Sequence, residues 1–157
     1  MNSYESSPGL RAYLIFVSIA YLGTALASLF WTQETLGLMG IQLTTADSFY
    51  ELRGSHGGIN FAIGIFLMLA VSRNDWQMPA LGLLIILNSG YVLGRSTSLL
   101  IDGIENPIHL IWLGSEIFLV SFSYYLIRRN IQIDTAKNIN TGNNAASMGE
   151  KLNTRLT

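Results

Sequence analysis

Four segments of this chain are each long and apolar enough to cross a hydrocarbon core of about 30 Å, a crossing that takes roughly twenty residues of helix. They cover residues 10–31, 47–72, 77–101 and 107–127. No water reaches the hydrocarbon, so each backbone N–H and C=O inside it must be satisfied by helix or by a closed barrel. Runs of this length suit only the helix. The expected fold class is therefore all-α, a four-transmembrane-helix bundle in a multi-pass integral membrane protein. Composition agrees, with 12% charged residues against roughly 25% in soluble domains.

The first run, "AYLIFVSIAYLGTALASLFW", carries Tyr13 and Trp31 near its ends, where interfacial aromatics belong. Its "ALA", residues 25–27, resembles a signal-peptide cleavage site. Against cleavage, Glu5 precedes the run, Arg11 is the one cation before it, and the apolar stretch continues through Trp31. In the second span Thr44 or Thr45 can cap the helix and Asp47 sits in its first turn, where the dipole favours an anion. Pro79 and Pro107 fall in the expected first turns of spans three and four, where a missing N–H is harmless. Residues 32–46 are too short and too Gly-broken to cross and can lie along the membrane surface. Residues 1–9 form a polar leader to the first span, and residues 128–157, rich in Asn, Thr, Lys and Ala without apolar periodicity, are expected to be a disordered tail.

Orientation follows from the cations. Arg11 precedes the first span, Arg73 lies between the second and third, and Arg128, Arg129 and Lys137 follow the fourth. The first and third loops have neither Lys nor Arg. The positive-inside rule then puts both termini, and with them the tail, in the cytoplasm.

Net charge is −1 with no basic stripe, which excludes a nucleic-acid partner. The absence of cysteine excludes disulfides, thiolate metal sites and cysteine catalysis. No cofactor motif is visible, and His56, His109, Glu51 and Glu116 lack metal-ligand spacing, so no metal is expected.

The polar residues inside the spans gather at one depth. At about 1.5 Å per residue, Arg53 lies about 8 Å and His56 about 12 Å below the start of span two. Arg95 is about 9 Å from the end of span three and Glu116 about 12 Å into span four. Asn88, Tyr91, Arg95, Ser98 and Asp102 follow spacings of three and four, one stripe of a helix. His109, Glu116 and Ser123 repeat every seven. In span two Arg53, His56, Asn60 and Gly64 share one side, while Glu51, Ser55, Gly58 and Ala62 lie opposite. A charge left in lipid costs at least about 2.5–3.5 kcal/mol, so these groups should face the interior and pair. Depth and phase favour Arg95 with Glu116, His56 beside them, and Asp102 with Glu51 nearer the aqueous mouth.

"ELRGSHGG" at residues 51–58, "GRSTSLLIDG" at 94–103 and a glutamate, Glu116, in the last span resemble a family of small four-helix bacterial membrane proteins, catalogued as domain of unknown function 4345. The motif residues fall on Glu51, Arg53, Gly57, Gly58, Gly94, Arg95, Asp102, Gly103 and Glu116. The resemblance runs from the first helix to about Ile127 and implies four transmembrane helices without an established activity. It does not extend to His56 or His109.

The candidate ligand-binding residues are Glu51, Arg53, His56, Arg95, Asp102 and Glu116. They are expected to line a polar pocket in the outer half of the bilayer that holds a small amphipathic molecule or a lipid headgroup. A second reading is a lipid- or quinone-modifying enzyme using Glu116 or Glu51 as the catalytic carboxylate. A third is a structural or accessory subunit in which the charges only set helix register. Gly54 with Gly58, and Gly90 with Gly94, form G-x-x-x-G pairs, read as close packing within the bundle and, alternatively, as a homo-oligomer contact.

Overall fold

The computed structural model describes residues 7–104 and 106–156, with side chains as far as residue 136 apart from that of residue 134. The polar leader ahead of Ser7 lies outside the described residues. Among these residues the chain is helical with no strand, and four helices are long and apolar enough to cross a membrane.

Helix α1 (Pro8–Phe30) starts where Ser7 Oγ accepts the Leu10 N–H at 3.3 Å, with Pro8 at its first position. It turns at Trp31 into the short α2 (Thr32–Gly37), after which Gly40 takes φ +80°, a conformation open mainly to glycine. The second span opens with α3 (Ala46–Leu52), capped by Thr45, whose Oγ1 accepts from Ser48 N at 3.2 Å, and with Asp47 in the first turn. A π-helical turn (Arg53–Gly58) follows, and α4 (Ile59–Ser72) completes one continuous span. Helix α5 (Asn74–Ile101) begins three residues earlier than the proline suggested, so Pro79 lies inside it. Its ring removes one N–H from the ladder in the second turn. Gly103, at φ +75°, turns the chain towards α6 (Ile108–Leu156). Asn106 Oδ1 accepts the Ile108 N–H at 3.1 Å at the head of that helix.

The backbone of α6 is helical through the segment expected to be disordered. No proline follows Pro107 to interrupt it, and extending a formed helix costs far less than nucleating one.

Helix α1 packs along α4 and the π turn, α4 against α5, and α5 along α6. The α1 and α6 backbones scarcely meet, and are joined instead by Tyr13, whose hydroxyl lies 2.8 Å from Ser123 Oγ. The apolar core sits at the end of the bundle carrying the α4–α5 turn. There Leu10, Leu14 and Val17 of α1 meet Leu67 and Ala70 of α4, Ala80, Leu81 and Leu84 of α5, and Leu126 of α6.

The close approach of α1 to the second span depends on glycines other than the G-x-x-x-G pairs. A Cβ at Gly57 would stand 2.6 Å from Leu29 Cγ, and one at Gly64 2.6 Å from Leu22 Cγ. Seven residues separate the members of each set, so Leu22 and Leu29 fill two successive gaps left by missing side chains. Ser18 Oγ adds a 2.8 Å bond to Gly64 O at the same contact. Gly54, Gly90 and Gly94 have open space around them, and Gly58 has only its own helix's Arg53 O near it. Those pairs therefore do not make the close packing within the bundle. Residue spacing identifies small residues but not which helix they meet.

Candidate ligand-binding cleft

Arg95 and Glu116 face each other because each lies on the buried stripe of its helix. On α5 that stripe runs Gln77, Leu81, Leu84 and Asn88, and Arg95, partly exposed, continues its line. On α6 Glu116, Ser123 and Asn130 are all buried at intervals of seven. Arg95 Nε donates to Glu116 Oε1 at 2.8 Å, the pairing that depth and phase anticipated. The contact is single-pronged. Glu116 is 6% exposed, and its second oxygen, Oε2, is buried without a hydrogen-bond partner.

Beside the pair lies a cleft of about 330 Å³. Its polar wall holds Arg95 and Glu116 with His56, Asn60, Asn88, Tyr91, Trp112 and Ser115. Val17, Ala20, Tyr21 and Thr24 of α1 and Met39 after α2 also line it. Phe16, 68% exposed, and Phe118, 57% exposed, flank the gap between α1 and α6. Asn88 is held in place by donating to Leu84 O at 2.8 Å and to the Tyr21 hydroxyl at 3.2 Å. The Trp112 indole N–H, like Glu116 Oε2, is buried and unpartnered.

The π turn decides which residues of the second span reach this cleft. Ile59 N–H bonds back five residues to Gly54 O, so the turn holds one residue more than an α-turn. One extra residue rotates α3 by about 100° relative to α4. Asn60 Nδ2 donates to His56 O at 2.6 Å. His56 and Asn60, at the end of the turn and beyond it, line the cleft.

Arg53, at its start, does not. Its Nε donates to Thr32 Oγ1 at 3.0 Å and its guanidinium lies 5.5 Å from the centre of the Phe49 ring. Thr32 is itself buried and bonded to Ser28 O, so Arg53 fastens the head of the second span to the α1–α2 corner. The shared face expected for Arg53 and His56 requires an uninterrupted α-helix.

Glu51 and Arg53 border a separate, more open hollow with Phe49, Tyr50 and Ser55. Asp102, exposed at the end of α5, lines neither it nor the cleft. Of the six candidates, the structure brings together His56, Arg95 and Glu116, and sets Glu51, Arg53 and Asp102 apart. His109 is half-buried and lines neither space. Tyr21 and Thr24 escape a reading of the sequence because the first span is the most apolar of the four. Tyr21, Thr24 and Ser28, spaced by three and four, are the signal that marks them.

These features define a class: a multi-pass membrane protein whose four helices are apolar towards lipid and polar towards one another at one end. The family model for the Domain of unknown function (DUF4345) matches residues 9–127, and the chain belongs to that family. No curated protein and no solved structure matches it. Several residues that carry the family resemblance have physical tasks here. Gly57 admits Leu29, Arg53 bonds Thr32, Gly103 takes a positive φ, and Arg95 pairs with Glu116.

Proposed function

We propose that this protein is a membrane-embedded binding protein, and that the cleft beside Arg95 and Glu116 holds a small amphipathic molecule or lipid headgroup. The observation that carries this reading is the cleft's mixed lining. An ion pair and hydrogen-bonding side chains stand together with Phe16, Phe118 and Leu119 around one space. Pockets for small molecules combine an apolar body with a few placed polar groups in this way. Ionisable residues inside spans mark sites by default. Arg11 and Arg73 near the α4–α5 turn, with Arg128 and Arg129 on α6, support a cytoplasmic location for that end by the positive-inside rule. The cleft then faces the outer half of a bacterial inner membrane.

The test is native mass spectrometry of the full chain in mild detergent, comparing wild type with Ala20→Trp. Ala20 lines the cleft and has no part in its polar contacts, so an indole there fills the space and leaves the ion pair intact. Wild type should retain a small-molecule or lipid adduct that Ala20→Trp loses while unfolding at the same temperature. Equal adducts in both proteins would remove the cleft as the binding site.

The buried, unpartnered Glu116 Oε2 supports a second reading, in which Glu116 is the acid or base of a lipid- or quinone-modifying enzyme. Glu51 has less support for that role, being exposed and bordering the other hollow. Identical lipid and quinone profiles in cells carrying wild type and Glu116→Gln would count against it.

A further inference from the structure

The four helices form a ring that is packed on three sides. Helix α1 runs along α4, α4 against α5 and α5 along α6, while the α1 and α6 backbones scarcely meet. This open seam is tied at two levels. Towards the α4–α5 turn the Tyr13 hydroxyl lies 2.8 Å from Ser123 Oγ, and its ring packs 4.9 Å from that of Phe122. At the loop end Asn106 Nδ2 donates to Leu38 O at 3.3 Å and joins the loop before α6 to the segment after α2.

Between these ties the seam is part of the cleft. Five of the residues lining the cleft are exposed, and four of them belong to the two helices of the seam: Phe16 and Ala20 on α1, Ser115 and Phe118 on α6. Each pair is about one helical turn apart, so each marks one edge of an opening, and none of the four carries a charge. A space lined by exposed side chains of two helices that do not pack together opens outwards between them.

The depth of the opening decides what it meets. From Ile108 at the head of α6 to Phe118 is about 15 Å, half of a hydrocarbon core of about 30 Å. Lipid chains occupy that level, and a water-soluble molecule would have to cross hydrocarbon to reach the cleft by this route. The cleft is also too small for a whole lipid. Its volume of about 330 Å³ equals that of about eleven waters at ~30 Å³ each. A lipid with its polar end inside must leave most of its chain outside. Arg95 lines the cleft and gives Glu116 only its Nε, so other guanidinium N–H groups remain for an acceptor oxygen of such a polar end.

Given the reading of the cleft as a ligand site, we propose that its ligand is a membrane lipid that enters sideways from the bilayer, with its polar end in the cleft and its hydrocarbon chain in the seam between Phe16 of α1 and Phe118 of α6.

The test uses the full-length protein in vesicles of total bacterial lipid extract, with p-benzoylphenylalanine in place of Phe118 or of Ile117. This side chain couples on illumination to nearby C–H bonds, and the coupled species are read by mass spectrometry of the intact protein. Ile117, also exposed, lies at the same depth about 100° around α6 and does not line the cleft, so it samples the surrounding bilayer. Position 118 should capture one lipid at about ten times its share of the extract, the scale of one charge-assisted hydrogen bond to its polar end. Position 117 should return the composition of the extract. Ala20→Trp should reduce position 118 to the same composition, and the captured mass identifies the lipid.

Equal compositions at 118 and 117 overturn the inference, and they leave a ligand cleft in place where Ala20→Trp still abolishes the adduct seen by native mass spectrometry. Enrichment at 118 that survives Ala20→Trp overturns it by separating the seam lipid from the cleft. Coupling of position 118 to a second copy of the chain overturns it by showing that protein covers the seam. A native adduct equally present in wild type and Ala20→Trp overturns the ligand reading itself.

Discussion

Towards the α4–α5 turn the four helices meet through Leu10, Leu14, Leu67, Leu81 and Leu84, all fully buried. At the opposite end they meet through Tyr21, Asn88, Arg95 and Glu116 around open space. Both ends sit in the same solvent, and lipid tails are as apolar as leucine, so burial from water drives neither contact. Close packing of side chains with few gaps holds the first end. The second is held by a small number of directional polar contacts, and these leave a cleft because hydrogen bonds and ion pairs satisfy groups without filling volume. That end also leaves Glu116 Oε2 and Trp112 Nε1 buried without hydrogen-bond partners.

Substitutions can break this contrast. The largest effect should come from removing half of the ion pair. Arg95→Met should destabilise by about 3–5 kcal/mol, because it leaves the buried Glu116 charge uncompensated, and Glu116→Leu by less, because Arg95 is partly exposed. The double change should recover most of the loss, as read by thermal unfolding in detergent. Recovery of stability together with unchanged lipid retention would favour a purely structural cluster.

In the packed end Leu84→Ala should cost about 2–4 kcal/mol by opening a cavity. Next comes the α1 contact, where Gly64→Ala should cost about 1–3 kcal/mol, because the new methyl meets the Leu22 side chain and its backbone nitrogen at 3.1 Å. Gly90→Ala, in open space, should instead be neutral or slightly stabilising in the same melts. Equal losses from the two would mean that α5 uses Gly90 against a second copy, the oligomer contact that the G-x-x-x-G spacing allows.

The smallest effect belongs to Tyr21→Phe, which removes the hydroxyl bonded by Asn88 and should cost about 0.6 kcal/mol, the average for polar contacts between membrane helices. A much larger loss would show that the polar end is a connected network rather than separate links.

Part of the site can be read along the chain because its physics is local. The stripe from Asn88 to Arg95 and the sevenfold repeat through Glu116 and Ser123 follow from helical phase. The cost of a bare charge in lipid then matches Arg95 to Glu116 once α5 and α6 are neighbours. The same reasoning fails for Arg53, since the phase it relies on is lost across a π turn. Gly54, Gly57 and Gly58 inside Arg53–Gly58 disfavour a regular helix, but three glycines do not say where the extra residue goes.

The sequence by itself determined the number of spans, a cap for the second at Thr44 or Thr45, and the helical phase shared by Asn88 and Arg95 and by Glu116 and Ser123. Length, composition and helical period are properties of one segment at a time. Only the tertiary structure decided that Gly57 and Gly64, and not the G-x-x-x-G pairs, receive α1, and that Tyr21 and Thr24 of the most apolar span form a wall of the cleft. It alone separated Glu51, Arg53 and Asp102 from His56, Arg95 and Glu116. These are choices among helix neighbours and rotations, and they are settled by which side chains fill which gaps once all four helices are packed.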